Sequence, residues 1–179
     1  RRQRQMCIRD RTPTNPMLGI LDISAITKVA KENGVLSVID NTFATPYLQR
    51  PLELGADIVT HSTTKYIGGH SDILGGAVIV NDEQLYEKIR FLQFAAGAVS
   101  SPFDAWLTHR SIKTLAVRME KHCSNAQAVA EFLDGHKNVE QVYYPGLPAH
   151  PGHDLAKKQM SGFGGIVSPV SYTHLRAHE

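Results

Sequence analysis

Three short aliphatic runs constrain this chain more than any other feature. Residues 35–39 (VLSVI), 57–61 (DIVTH) and 77–80 (AVIV) are rich in the β-branched side chains that suit a pleated surface. They are too short for ordinary helices. The first has little alternation, the pattern of a strand buried on both faces, as in parallel sheets. Between them the pattern turns helical. Asp22 can cap a helix over residues 23–33, with Ile23, Ile26, Val29 and Ala30 on one face and Gly34 as its stop. Residues 46–55 read as a short helix. A further helix is expected over roughly 83–94, through Leu85, Ile89 and Leu92, and helical periodicity returns over about 103–134. A strand is expected at 139–144. Short buried strands alternating with helices predict an α/β fold with a mostly parallel sheet.

Composition supports a chain able to bury a core, with 42% hydrophobic and 20% charged residues. No apolar run approaches the roughly 20 residues that span a bilayer. Cys7 and Cys123 make neither a disulfide framework nor a four-ligand metal site. The formal net charge of +2 raises the question of nucleic acid, but it is concentrated at one end. Residues 1–11 (RRQRQMCIRDR) hold five arginines against one aspartate, so the rest of the chain is mildly acidic. That head and residues 169–179, which contain VSYTHLRAHE, resemble translated sequencing-adapter sequence and are set aside from fold reasoning. Neither a nucleic-acid nor a membrane partner is then expected.

In parallel sheets, ligands gather beyond the carboxyl ends of the strands. Asp40, Thr42, Ser62, Thr64 and Lys65 all fall there. Ser62-Thr-Thr-Lys65 sets hydroxyls and an amine at a strand mouth, beside Gly68 and Gly69. A lysine partly desolvated there is a usable nucleophile or Schiff-base partner, and the alternative is a solvated surface turn. The four residues also match the S-x-x-K of serine acyl-transfer enzymes. The companions of that motif are missing, since Ser71-Asp72 is followed by Ile73 and Lys113-Thr114 by Leu115. His61, His70, His150 and His153 lack metal-ligand spacing, and no metal is expected. The glycine pairs do not form a dinucleotide or P-loop fingerprint. Asp40 either caps the next segment or meets a cation, because a buried acid is costly alone.

TPTNP (12–16), followed by VIDNTFATPYLQRPLELGADIVTHSTTKYIGGHSD, SIKTLAVRM, YPGLPAHPGH and SGFGG, resembles the pyridoxal-phosphate enzymes of cysteine and methionine metabolism over residues 12–168. This is the transsulfuration family that includes cystathionine γ-synthase, cystathionine γ-lyase and methionine γ-lyase. The resemblance implies a fold type I large domain over 12–118 and a linking helix with the start of a small C-terminal α+β domain over 119–168. It implies pyridoxal 5′-phosphate held covalently by Lys65, with Asp40 on the ring nitrogen. Ser62 and Thr64 would bind the phosphate, and Asn15 and Thr42 would line the ring and its O3′ side. It further implies γ-elimination or γ-replacement on a sulfur amino acid or O-acylhomoserine, in a cytoplasmic homotetramer whose subunits share active sites. The cystathionine γ-synthase or γ-lyase type is expected; the alternatives are an O-acetylhomoserine sulfhydrylase or methionine γ-lyase of the same family, or a non-catalytic α/β binding module. The family's opening third and its substrate-carboxylate arginine have no counterpart in these residues, so the 179-residue chain alone is expected to be inactive. Where the family has Arg-Gly, this chain has Arg110-Ser111.

Overall fold

The computed structural model describes residues 7–171, with side chains from residue 10 onward. Residues 1–6 and 172–179, the outer parts of the two adapter-like stretches, lie outside the described residues. Strands β1 (Cys7–Arg11), β2 (Leu36–Asp40), β3 (Ile58–Ser62) and β4 (Gly76–Val80) form one sheet in that order. β1 pairs parallel with β2, Arg11 opposite Asp40, and β2 pairs parallel with β3, Asp40 opposite Thr60. The sheet is therefore mostly parallel, as expected. β4 runs antiparallel to β3, with Ser62 opposite Gly76. The reason lies in the connection: residues 63–75 are turns and bends, with none of the crossover helix that returns a chain to a parallel register.

Helix α1 (Ile23–Glu32) fills the first crossover. Asp22 caps it, Oδ1 accepting from the Ala25 amide at 3.0 Å, and Gly34 follows at φ +63°. Its buried face differs from expectation. Ile23 and Ala30 are buried with Thr27, while Val29 is exposed. Thr27 turns inward because its hydroxyl donates to the Leu54 carbonyl at 3.0 Å, which ties the helix to the loop before β3. Ile23, Ile39, Ala56 and Val59 make the core between α1 and the sheet.

The helix expected over 46–55 shrinks to α2 (Thr45–Leu48). Pro51 explains the loss, since a residue preceding proline is driven out of helical geometry. After α3 (Glu83–Ala96), the long helical region divides into α4 (Pro102–Ile112) and α5 (Leu115–Asp134). At the division, the Thr114 hydroxyl and amide both donate to the Ser111 carbonyl, and this local bond competes with a continuous helix. β5 (Val139–Tyr143) pairs antiparallel with β6 (Ser168–Ser171), and α6 (His153–Gln159) lies between them in sequence. Ala126, Ala130, Val142, Tyr144 and Leu147 pack α5 onto β5 as a separate core cluster. β1 and β6 fall in or against the two adapter-like stretches, and the seven residues of α6 are too few for a clear helical period.

Candidate active site

Because β2 and β3 are parallel neighbours, their last residues, Asp40 and Ser62, lie at the same edge of the sheet. Asp40 is only 7% exposed. Its Oδ1 accepts from the Thr42 amide at 3.1 Å. Its Oδ2 accepts from Arg11 Nε at 2.9 Å, in an ion pair that reaches along β1. Burial pushes the carboxyl upward, but hydrogen bonds from the Thr42 hydroxyl, Arg11 and the Thr42 amide outweigh it and hold Asp40 below the usual carboxylate range. Asp40 is therefore an anion at neutral pH. The Thr42 hydroxyl also accepts from the Ser62 amide at 2.9 Å. Thr42 thus links the carboxylate at the end of β2 to the backbone at the end of β3.

The lysine loop follows directly. Its Thr63 amide donates to the Gly75 carbonyl at 2.9 Å, and Thr64 Oγ1 accepts from the Gly75 amide at 3.0 Å. Lys65 and Thr64 line a cavity of about 910 Å³ together with Phe43, Tyr66, Asp72 and His122. Lys65 is exposed rather than partly desolvated, because this cavity opens to solvent. Residues 63–68 are turns, not the opening of a helix that the serine acyl-transfer motif requires. The structure thus gathers Asp40, Thr42, Ser62, Thr64 and Lys65 at one sheet edge. Asn15 stands apart: it is exposed beyond the end of β1, and among the described residues no hydrogen bond joins it to the other five.

These groups fit pyridoxal phosphate. Lys65 supplies an amine for an aldehyde, and Ser62 and Thr64 supply hydroxyls for a phosphate. Asp40 supplies a buried, ionised carboxylate able to hold a protonated ring nitrogen.

Several neighbours had no role at this site assigned from the sequence. Tyr66 packs its ring on His122 at 5.2 Å between centroids, and burial pushes its hydroxyl up to about 12. His61 is buried beside the site, and its Nδ1 has no hydrogen-bond partner among the described residues. Burial lowers its pKa, the Asp40 charge working the other way. His70 Nδ1 lies 2.7 Å from the Gly68 carbonyl, and since a carbonyl only accepts, that nitrogen carries the hydrogen. Ser111 is buried, its hydroxyl 3.4 Å from the same nitrogen. The serine in place of the family's glycine therefore sits against the end of the lysine loop. Among the described residues, no three histidine, cysteine or acidic side chains group as metal ligands.

The chain is 61% identical over 157 residues to a cystathionine gamma-synthase of Mycobacterium leprae, covering 88% of this chain and 40% of that protein. It is 59% identical over 157 residues to a cystathionine beta-lyase of Lactococcus lactis, covering 88% and 41%. Among solved structures, cystathionine gamma synthase from Xanthomonas oryzae, in complex with aminoacrylate and cysteine, superposes with a TM-score of 0.91 at 49% identity. That match covers 96% of this chain and 45% of the other. The chain spans less than half the length of these curated relatives. The profile described as "Cys/Met metabolism PLP-dependent enzyme" matches residues 4–176, nearly the whole sequence, and the chain belongs to that family, whose cofactor is pyridoxal 5′-phosphate.

Proposed function

We propose that the protein containing this chain is a transsulfuration enzyme that carries out γ-elimination or γ-replacement on a sulfur amino acid or O-acylhomoserine. The observation that carries the reading is the Asp40–Thr42–Ser62 hydrogen-bond chain at the sheet edge, one turn from the Lys65 cavity. When bound, the cofactor supplies an electron sink for the carbanion left by loss of the substrate's α-proton. Asp40, already ionised, would hold a proton on the ring nitrogen and so maintain that sink. Lys65 Nζ would hold the cofactor covalently and, once freed by substrate, carry protons between Cα and Cβ. Ser62 and Thr64 would bind the phosphate. Asn15 and Thr42 would line the ring and its O3′ side.

We keep residues 12–118 as the cofactor domain and 119–168 as the linking helix and start of a second domain. The separate core between α5 and β5 supports that division. Residues 1–11 and 169–179 are read as adapter sequence; the curated alignments run over 157 residues, while the family match reaches from 4 to 176. The substrate is a small amino acid, and the working enzyme a cytoplasmic homotetramer with shared active sites. No helix among the described residues is long and apolar enough to cross a membrane.

The test is to saturate the full-length protein with pyridoxal phosphate, reduce it with borohydride and map the adduct by peptide mass. A visible cofactor band and a pyridoxyl group on Lys65 are expected. No band at saturation, or a label confined to other lysines, overturns the reading. Acylation of Ser62 by an activated ester would favour serine acyl transfer instead.

A further inference from the structure

The position of Lys65 depends on the backbone of a loop that is neither helix nor strand. Within the loop, the Gly68 amide donates to the Thr63 carbonyl and the Gly69 amide to the Lys65 carbonyl, both at 2.7 Å. Two turn bonds of this kind leave the carbonyl of Tyr66, the next residue, to be fixed from elsewhere. It is fixed from α5. Arg118 Nη1 donates to the Tyr66 carbonyl at 2.7 Å across 52 positions of sequence.

The other guanidinium nitrogens are engaged as well. Arg118 Nη2 donates to the Ser111 carbonyl at 2.9 Å, and Nε donates to Thr114 Oγ1 at 3.0 Å. Ser111 lies in the last turn of α4, the negative end of the helix dipole, where a cation is favoured, and its carbonyl also accepts from Thr114. One planar group therefore clamps the lysine loop to the α4–α5 junction, and its fixed fork makes the three directions compatible. Among the described residues no carboxylate pairs with Arg118, so its charge is held by neutral oxygens alone. On the loop side, Gly69 adopts φ +75°, and a Cβ there would collide with the guanidinium. One turn further along α5, His122 packs on the Tyr66 ring, so the helix holds this residue by backbone and side chain together.

We infer that Arg118 is a positioning residue for Lys65, fixing the backbone at Tyr66 so that the lysine amine is presented to the cavity. This rests on the reading of Lys65 as the cofactor lysine.

The test uses full-length protein carrying Arg118→Ala or Arg118→Lys, followed by two readouts. The first is amide exchange at Gly68 and Gly69. The second is the rate at which Lys65 becomes labelled by pyridoxal phosphate and borohydride. Arg118→Ala is expected to speed the exchange and slow the labelling, each about tenfold, the loss that one hydrogen bond to a charged group commands. Arg118→Lys keeps the charge without the fork and should recover only part. Low millimolar guanidinium should restore labelling in Arg118→Ala, whereas urea at the same concentration should not. Wild-type labelling with wild-type protection in Arg118→Ala overturns the inference, as does equal rescue by urea. If Arg118→Ala does not fold, Gly69→Ala displaces the guanidinium from the loop side. It should raise Gly68 exchange, and unchanged exchange there overturns the proposal. Should the wild-type protein take its label away from Lys65, the proposed function fails, while the exchange measurement still judges the clamp.

Discussion

Asp40 at the end of β2 and His61 in β3 are both buried, and both tie stability to pH in the same direction. The Asp40 value is lowered from 3.8 in the folded chain, so its contribution is complete above that value and is lost as pH falls through the depressed one. His61 is lowered from 6.5, chiefly by burial, so below that pH the unfolded chain takes up a proton that the folded chain refuses. His150 behaves alike, with burial as its main cause. Stability of the full-length protein should therefore decline as pH is lowered from 7 through 6.5. His61→Gln should flatten part of the slope and leave the share of His150. Urea midpoints across that range would show it, and an unchanged slope in the variant would rule His61 out. The candidate residues were legible in the sequence because polar groups closing apolar runs in a parallel sheet share one edge. What ties the lysine loop to α5 was not legible: Arg118 reaches Tyr66 across 52 positions, and no local pattern encodes a contact at that separation.

At the scale of elements, local chemistry set the boundaries wherever a cap or breaker was present. The Asp22 cap and Gly34 stop bracket α1, and Pro51 cuts short the helical pattern that starts at 46. Asp22→Ala should cost about 1 kcal/mol, the usual contribution of a side-chain cap. A fall in the chemical-denaturation midpoint with an unchanged m-value is the expected signature, and no shift would mean that tertiary contacts alone hold this end. The buried face of α1 was less legible. Hydrophobic spacing favours Val29, but Thr27 is buried because the Leu54 carbonyl gives its hydroxyl a partner. Periodicity counts apolar side chains and does not register a polar one whose hydrogen bond permits burial.

Over the whole molecule, burial is uneven. α3 contains no buried residue, and Phe91, Phe94, Phe103 and Trp106 of α3 and α4 are all exposed. Isolated exposed apolar residues are ordinary, but this many large ones on consecutive helices form a surface that associates in water. The 179-residue chain, produced alone, should self-associate with rising concentration. Light scattering after size exclusion would measure this, and a monomer at high micromolar concentration would contradict it. Relatives more than twice as long have further chain available to cover such a face.

By itself the sequence determined the α/β class, the mostly parallel character of the sheet, and the set of polar residues just past the strand ends. Those follow from short-range rules: β-branched runs, caps, prolines, and the geometry that brings parallel strand ends together. Only the tertiary structure decided the antiparallel turn of β4, the break between α4 and α5, the isolation of Asn15 and the clamp of Arg118 on the lysine loop. The clamp and the isolation depend on which distant atoms lie within hydrogen-bond reach, and the fold alone fixes that distance; the turn of β4 and the helix break follow from the connection at 63–75 and the Ser111–Thr114 bond, which periodicity does not register.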